Sequence, residues 1–436
     1  MSVANLSYSP ILKLQNSGFK GCVLPERKNT ATVNNNNISR MPLLSHLSFG
    51  SRLVDGVLYS ESALKLGDKR ITPEQAKLLR EKSLEKKAEV QNKIDSTKNS
   101  AEPYKNSRQD VYVASVLGEN NKVYTACNVD FGSSRWGVPS GILASCMAVN
   151  DFNDSVKALF VSNLSRDKRT TEWLTNNSFS DKLDRTRGGD DAQLVLENKQ
   201  PNGSTTLNVV TLGDLRRTSL DDMKGLDLSV DPLEPKPSAV KPDPGITEYK
   251  PQQVNIKTVE YSESAQNVAK ELADEKGINV DEMVKNLVLT SQEKANELDK
   301  EIVGRKGDFD NAPISHYRYI SAAQADNGKI YTAYNTEFYG EFMYDVVCSE
   351  RIATAKAVND GANKIYAIAV NNNQNHSDAS CAECLGWLSG NRGGANLLIA
   401  NIVRDKEGNK TDKVLVKTLS ELLTDIHAPS KQVVRK

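Results

Sequence analysis

Neither charge predominates in this sequence: Lys plus Arg and Asp plus Glu number 56 each among 436 residues. No global field therefore recruits a polynucleotide, an anionic membrane or an acidic substrate, and nucleic acid is not an expected partner. Long apolar runs are missing too. Nothing approaches the roughly 18 consecutive apolar residues that cross a bilayer, and the first 25 residues show no apolar core behind a basic start. No membrane association and a cytoplasmic location are expected. Histidine is scarce, and His46, His316, His376 and His427 fall in no ligand spacing. Cysteine is scarce as well, at positions 22, 127, 146, 348, 381 and 384. Only the last three are spaced as one site, which points away from a disulfide framework and toward a metal. Cys127 and Cys146 read as small core residues.

The length accommodates two or three domains. Residues 1–70 are rich in Asn, Ser and Gly, include the run Asn34 to Asn37 and hold no sustained period, so they are expected to be disordered. From Thr72 the signals change. Thr72 at the N-cap, Pro73 at the first helical position and Gln75 at the third predict a charged helix running to about Asn99. Closely spaced prolines from Pro232 onward mark residues 231–253 as an extended linker. Beyond it, Ser262 to Gly304 reads as two helices separated near Gly277. The expected folded domains are residues 71–230 and 254–436.

These two stretches repeat one another. Lys122-Val-Tyr-Thr-Ala-Cys-Asn128-Val-Asp130-Phe131 recurs as Lys329-Ile-Tyr-Thr-Ala-Tyr-Asn335-Thr-Glu337-Phe338, and Ala148-Val-Asn-Asp151 as Ala357-Val-Asn-Asp360. Further on, Arg187-Gly-Gly189 matches Arg392-Gly-Gly394, and Thr211-Leu-Gly-Asp-Leu215 matches Thr418-Leu-Ser-Glu-Leu422. Four matched stations in one order indicate a duplicated unit. Each copy alternates helix and β-type segments, including apolar strands at Ala158–Val161 and Ile365–Val370, which predicts an α/β domain with helices on both faces of a mixed sheet. The copies differ chemically. Cys348-Ser349-Glu350-Arg351 aligns with Pro139-Ser140-Gly141-Ile142, and the segment matching Ser380 to Cys384 falls near Thr175 to Phe179, without Cys or His.

Zinc favours tetrahedral thiolate or imidazole ligands, and a catalytic zinc keeps three from the protein with one place open. Cys348 together with Cys381-x-x-Cys384 supplies three. The two-residue gap puts two thiols on the first turn of a helix, and helix N-termini at Cys348 and Cys381 favour thiolates. Glu350 lies two residues past a ligand, where a carboxylate can move protons without binding the ion. Three thiolates make a negative shell, and Arg351 is placed to offset it by hydrogen bonding to sulfur. A Cys-x-x-Cys taken alone reads more readily as a structural half-site or as two packed thiols.

Asn335-x-Glu337, Cys348-Ser-Glu350-Arg351 and Cys381-x-x-Cys384, in this order, resemble the Asn-x-Glu, Cys-Ala-Glu-Arg and Pro-Cys-x-x-Cys of the cytidine deaminase family. The likeness runs from about Gln292 to Ser430, with Ile314-Ser-His-Tyr317-Arg-Tyr319 resembling the family's Tyr-Ser-x-Phe-x-Val. The resemblance implies a three-layer α/β/α fold, occurring twice, each with a mixed five-stranded sheet. It implies one Zn2+ per chain, in the C-terminal copy only, and hydrolytic deamination of cytidine or deoxycytidine at C4, with Glu350 shuttling the proton. It also implies that Asn335 and Glu337 bind the ribose, Tyr317 packs on the base or sugar, the Ser349 amide holds O2 and the Ser380 carbonyl faces the leaving amine. A nucleoside partner and a homo-oligomer, a dimer of tandem chains, follow from the same likeness. Ser380 stands where the family has Pro, Leu385 where it has Arg, and Thr424-Asp425 where its tail has Pro and an aromatic. These changes fall on the parts that enclose the base, so deamination of another aminopyrimidine, or a zinc-containing scaffold without activity, is the alternative.

Overall fold

A computed structural model describes residues 51–101, 103–106, 111–129, 137–153, 156–162, 191–199, 205–214, 246, 248–305, 317–337, 346–374, 380–390 and 394–427. Residues 42–436 form one compact unit. Its first half contains β1 (Arg52–Val54), β2 (Val57–Tyr59), α1 (Glu61–Lys65), α2 (Pro73–Thr97), β3 (Val113–Gly118), β4 (Val123–Cys127), α3 (Ser140–Val149), β5 (Val156–Val161), β6 (Gln193–Lys199) and β7 (Thr205–Thr211). The second half contains β8 (Thr258–Tyr261), α4 (Glu263–Lys276), α5 (Val280–Gly304), β9 (Ile320–Ala325), β10 (Ile330–Tyr334), β11 (Thr336–Glu337), β12 (Val346–Val347), α6 (Ser349–Asn359), β13 (Ile365–Asn371), α7 (Ala382–Ser389), β14 (Leu398–Arg404), β15 (Lys410–Thr418) and α8 (Leu419–His427).

Local chemistry sets the helix boundaries where the sequence places them. Thr72 and Gln75 form a reciprocal capping box at the start of α2, with Pro73 in its first turn. Ser262 caps α4, which ends at Gly277 with φ 65, a left-handed turn that suits glycine; Asn279 then caps α5.

Among the described residues one sheet has seven strands, ordered β1-β2-β7-β6-β5-β3-β4, and the other six, ordered β10-β9-β13-β14-β15-β8. Taken from the same end, β2-β7-β6-β5-β3-β4 and β8-β15-β14-β13-β9-β10 also share their pairing senses. In each, the first and third pairs are parallel and the others antiparallel. Register agrees as well: Val113 opposes Cys127 as Ile320 opposes Tyr334. Both sheets exceed the five strands expected: the β1–β2 hairpin adds two strands to the first, joined through β2 parallel to β7, and β8 adds a parallel edge strand to the second. At three and four residues these are too short to show a period. A second correction concerns residues 51–70, expected to be disordered. They form a hairpin and a short helix, with Val57, Tyr59, Ala63 and Ile71 buried in the core beneath α2. Tertiary pairing of β2 with β7 orders a segment that has no local signal of its own.

In the second half, α4 and α5 cover one face of the sheet. Val284, Leu287 and Val288 pack with Ala322, Ala367, Ala369 and Leu398. Side chains alternate along a strand, so Ser321, next to Ala322, faces the other way, and its hydroxyl meets Ser349 at the start of α6. Helices therefore lie on both faces of this sheet.

The two halves are tied by matched contacts from the repeated Ala-Val-Asn-Asp. Asn150, at the end of α3, accepts from the Tyr334 amide at 2.7 Å and donates to Thr336 Oγ1 at 3.0 Å. Asn359, at the end of α6, accepts from the Cys127 amide at 2.9 Å and donates to the Thr125 carbonyl at 3.1 Å. The Tyr334 hydroxyl donates to the Val149 carbonyl, and the Tyr104 hydroxyl to the Val358 carbonyl at 2.7 Å. Val149 and Phe152 share a core cluster with Ala295, Leu298, Ile320 and Tyr334. Removing either asparagine leaves a buried strand N–H without its acceptor. Asn150→Ala and Asn359→Ala should each cost about 1–3 kcal/mol, seen as a lower midpoint in urea unfolding, whereas a surface change such as Lys270→Ala, on the exposed side of α4, should barely move it.

Candidate metal centre

The chain leaves β12, turns at Cys348 and enters α6. It then crosses the sheet as β13, which runs parallel to β14, and turns at Cys381 into α7. Both cysteines are N-cap residues with extended backbones, φ −61 and ψ 150 for Cys348, φ −69 and ψ 158 for Cys381. Sulfur replaces the usual capping oxygen at the second: Cys381 Sγ accepts from the Cys384 amide at 3.4 Å. Cys348 Sγ and Cys381 Sγ are 4.0 Å apart, and with Cys384 Sγ all three lie within 4.8 Å of one another. Tetrahedral zinc with Zn–S near 2.3 Å separates its sulfurs by about 3.8 Å. The donor set therefore fits a thiophilic cation with only small adjustment. Cys384 is buried, Cys348 half-buried and Cys381 exposed, so the cluster opens to one side.

The three thiols act on each other. Hydrogen bonding from Cys348, then from Cys384, holds the Cys381 thiol well below its ordinary range, while the same bonds to Cys381 push Cys348 up. These bonds favour charge on Cys381 over Cys348, and a divalent cation would displace protons from the thiols.

Glu350 lies in the first turn of α6 and is 4 % exposed. Burial raises its carboxyl above the ordinary value, its own backbone amide opposes this, and the charge on Cys381 raises it further. Ser349 Oγ donates to Glu350 Oε2 at 3.2 Å, and Ser321 Oγ lies 2.7 Å from Ser349 Oγ. The sequence reading missed Ser321; its only signal was a lone hydroxyl in the small apolar strand Ile320–Ala325. Arg351 acts by charge on the Glu383 carboxyl, which burial and the Cys381 charge raise.

The remaining candidates are placed as follows. Asn335 is buried, and its amide bridges strand backbone: Oδ1 accepts from the Tyr319 amide and Nδ2 donates to the Tyr317 carbonyl, both at 2.9 Å. Asn128 in the first half accepts from the Tyr112 amide at 2.8 Å in the same way. The Tyr317 side chain is 45 % exposed. Glu337 pairs through β11 with Val346, and its side chain lies outside the described residues. Ser380 directly precedes the Cys381 cap and is half-buried.

Helix starts fix the comparison of the two halves. Pro139 caps α3 as Cys348 caps α6, so Ser140 corresponds to Ser349 and Gly141 to Glu350. The Val129–Val138 bridge matches the Thr336–Val347 pair ahead of it. Among the described residues the second half alone gathers a metal-capable group. Cys127 and Cys146 are buried in the core. Thr175 to Phe179, Arg187 to Gly189, Arg392, Gly393, His316 and His376 lie outside the described residues.

The chain is similar to cytidine deaminases. Among solved structures, the enzyme from Burkholderia pseudomallei matches with 25% identity over 26% of this chain and 84% of its own, at a TM-score of 0.22. The enzyme from Mycobacterium leprae gives 22% identity over 26% and 82%, at 0.21. That from Mycobacterium tuberculosis gives 23% over 26% and 80%, at 0.20. No family model and no curated protein matches the chain. Among the described residues no helix is long and apolar enough to cross a membrane.

A metal held by these sulfurs has a plain signature. Purified full-length protein should contain one zinc per chain by elemental analysis. Cys348→Ala, Cys381→Ala and Cys384→Ala should each reduce it to a small fraction, while Cys127→Ala should leave it unchanged. Retention of zinc by all three variants would place the ion elsewhere.

Proposed function

We propose that the second half is a zinc-dependent hydrolytic deaminase converting cytidine or deoxycytidine to the uridine counterpart and ammonia. The observation that supports it most is a buried carboxyl, Glu350, in the first turn of the helix that Cys348 caps, beside three clustered thiols. Cys348, Cys381 and Cys384 would hold the zinc, which when bound would acidify and polarise the attacking water. Glu350 takes a proton from the attacking water, delivers it to ring N3, and passes the second proton to the exocyclic nitrogen. The water oxygen stays on C4, the C4–N bond breaks and ammonia leaves. The Ser349 amide is offered to O2, the Ser380 carbonyl to the leaving amine, and Tyr317, with its exposed ring, to the base or sugar. Glu337 takes ribose. Asn335 already engages the backbone of Tyr319 and Tyr317 with both ends of its amide. That engagement favours, as a second reading, an aminopyrimidine compound whose sugar is absent or different.

The first half we read as a duplicated copy that has lost its chemistry and serves as a built-in subunit. The matched strand orders and the reciprocal asparagine contacts support this. Phe131 and Arg135, outside the described residues, are its candidates to reach the live site, and association of whole chains into a homo-oligomer belongs to the same reading.

Ammonia release from cytidine, deoxycytidine and a wider aminopyrimidine panel tests the activity. Glu350→Ala should lower kcat/KM about 10³-fold while keeping its zinc. Because burial raises the Glu350 carboxyl, its base form is lost as pH falls through a value above the ordinary 4.5. The acid limb of the kcat/KM profile should therefore lie above that value. Stoichiometric zinc with no ammonia from any compound would leave the site structural.

A further inference from the structure

The hydroxyls behind Glu350 form a short closed chain. Ser321 Oγ lies 2.7 Å from Ser349 Oγ, which donates to Glu350 Oε2 at 3.2 Å. Ser321 and Ser349 are fully buried and Glu350 nearly so, so no solvent path ends at Ser321 and the chain does not conduct protons outward. Its direction is set by the ends. The carboxylate accepts only, so Ser349 must donate to it, and Ser349 then accepts from Ser321. Each donor polarises the next, which strengthens the bond to the carboxylate. The Glu350 carboxyl is also held by its own backbone amide, and the two hydroxyls secure one of its oxygens from the side of the sheet.

The other half of the molecule provides an internal comparison. Val113 and Ile320 occupy equivalent register positions, so Ala114 stands where Ser321 does. Ser140 keeps the helix hydroxyl of Ser349, but Gly141 replaces Glu350. The strand hydroxyl thus occurs where the carboxyl occurs and is a methyl where the carboxyl is gone.

We infer that Ser321, acting through Ser349, is a positioning residue that fixes the Glu350 carboxylate in its proton-transferring orientation. This rests on the deaminase reading above. Ser321 touches neither the thiols nor the open side of the site, so its loss should change turnover and leave substrate binding alone.

The test uses full-length, zinc-loaded protein and the variants Ser321→Ala, Ser349→Ala and their combination. Ala114 in the equivalent place shows that the strand tolerates the methyl. Ser321→Ala should lower kcat about tenfold with KM within twofold and zinc unchanged, and Ser321→Thr should recover most of the loss. Because the hydroxyls act as one chain, the double variant should lose no more than Ser349→Ala alone. Unchanged kcat in Ser321→Ala, a change confined to KM, or losses that multiply independently would each overturn the inference. If the parent protein releases no ammonia from any aminopyrimidine, the deaminase reading fails. The hydrogen-bond chain is then decided by thermal unfolding: Ser321→Ala should lower the midpoint at least twice as far in the parent as in Glu350→Ala, and equal shifts in the two backgrounds would remove it.

Discussion

Two helix N-termini must arrive at one point for three sulfurs to share an ion. That constraint shapes the second half of the molecule. Cys348 and Cys381 are 33 residues apart in sequence, and one β-strand between them, parallel to its neighbour β14, returns the chain to the same end of the sheet. Each cysteine needs the extended backbone of an N-cap, and each helix must start immediately after it. The unpaired amides and dipole at such termini favour thiolates. The same geometry dictates the placing of Glu350. A residue two positions past an N-cap lies in the first helical turn, close to the sulfurs and pressed against the sheet, and burial there lifts its carboxyl.

The repeated sequence stations mostly hold this frame together rather than perform chemistry. Lys122 and Tyr124 both bind Asp151, and Lys329 and Tyr331 both bind Asp360, which clamps the β-hairpin to the end of the following helix in each half. The asparagine beside each aspartate reaches into the other half and pairs with the amide at the end of its edge strand. An open strand edge is a site for unwanted pairing, and here an asparagine of each half occupies the end of the other's. Asn128 and Asn335 likewise serve backbone in both halves. A residue retained where the chemistry is absent is explained by the frame alone, which is why Asn335 carries less of the functional argument than its place in the motif suggests.

The Cys381-x-x-Cys384 spacing, the Glu two residues past Cys348, the capping box at Thr72 and the break at Gly277 were all legible in the sequence, because each depends on residues within a turn of helix of one another. The apolar strands were legible for the same reason. Their apolar run is local. The equivalence of the two halves was visible as ordered repeats. What the sequence could not reveal depends on partners far along the chain. The strands β2 and β8 are too short to declare themselves and exist through pairing with β7 and β15. Asn150 and Asn359 gain their roles from strands more than 180 residues away, and Ser321 meets Ser349 across 28 residues. Composition and spacing determined which atoms are available for the chemistry; only the packing of helix against sheet decided which of them are held still, since orientation is set by contacts that no local pattern encodes.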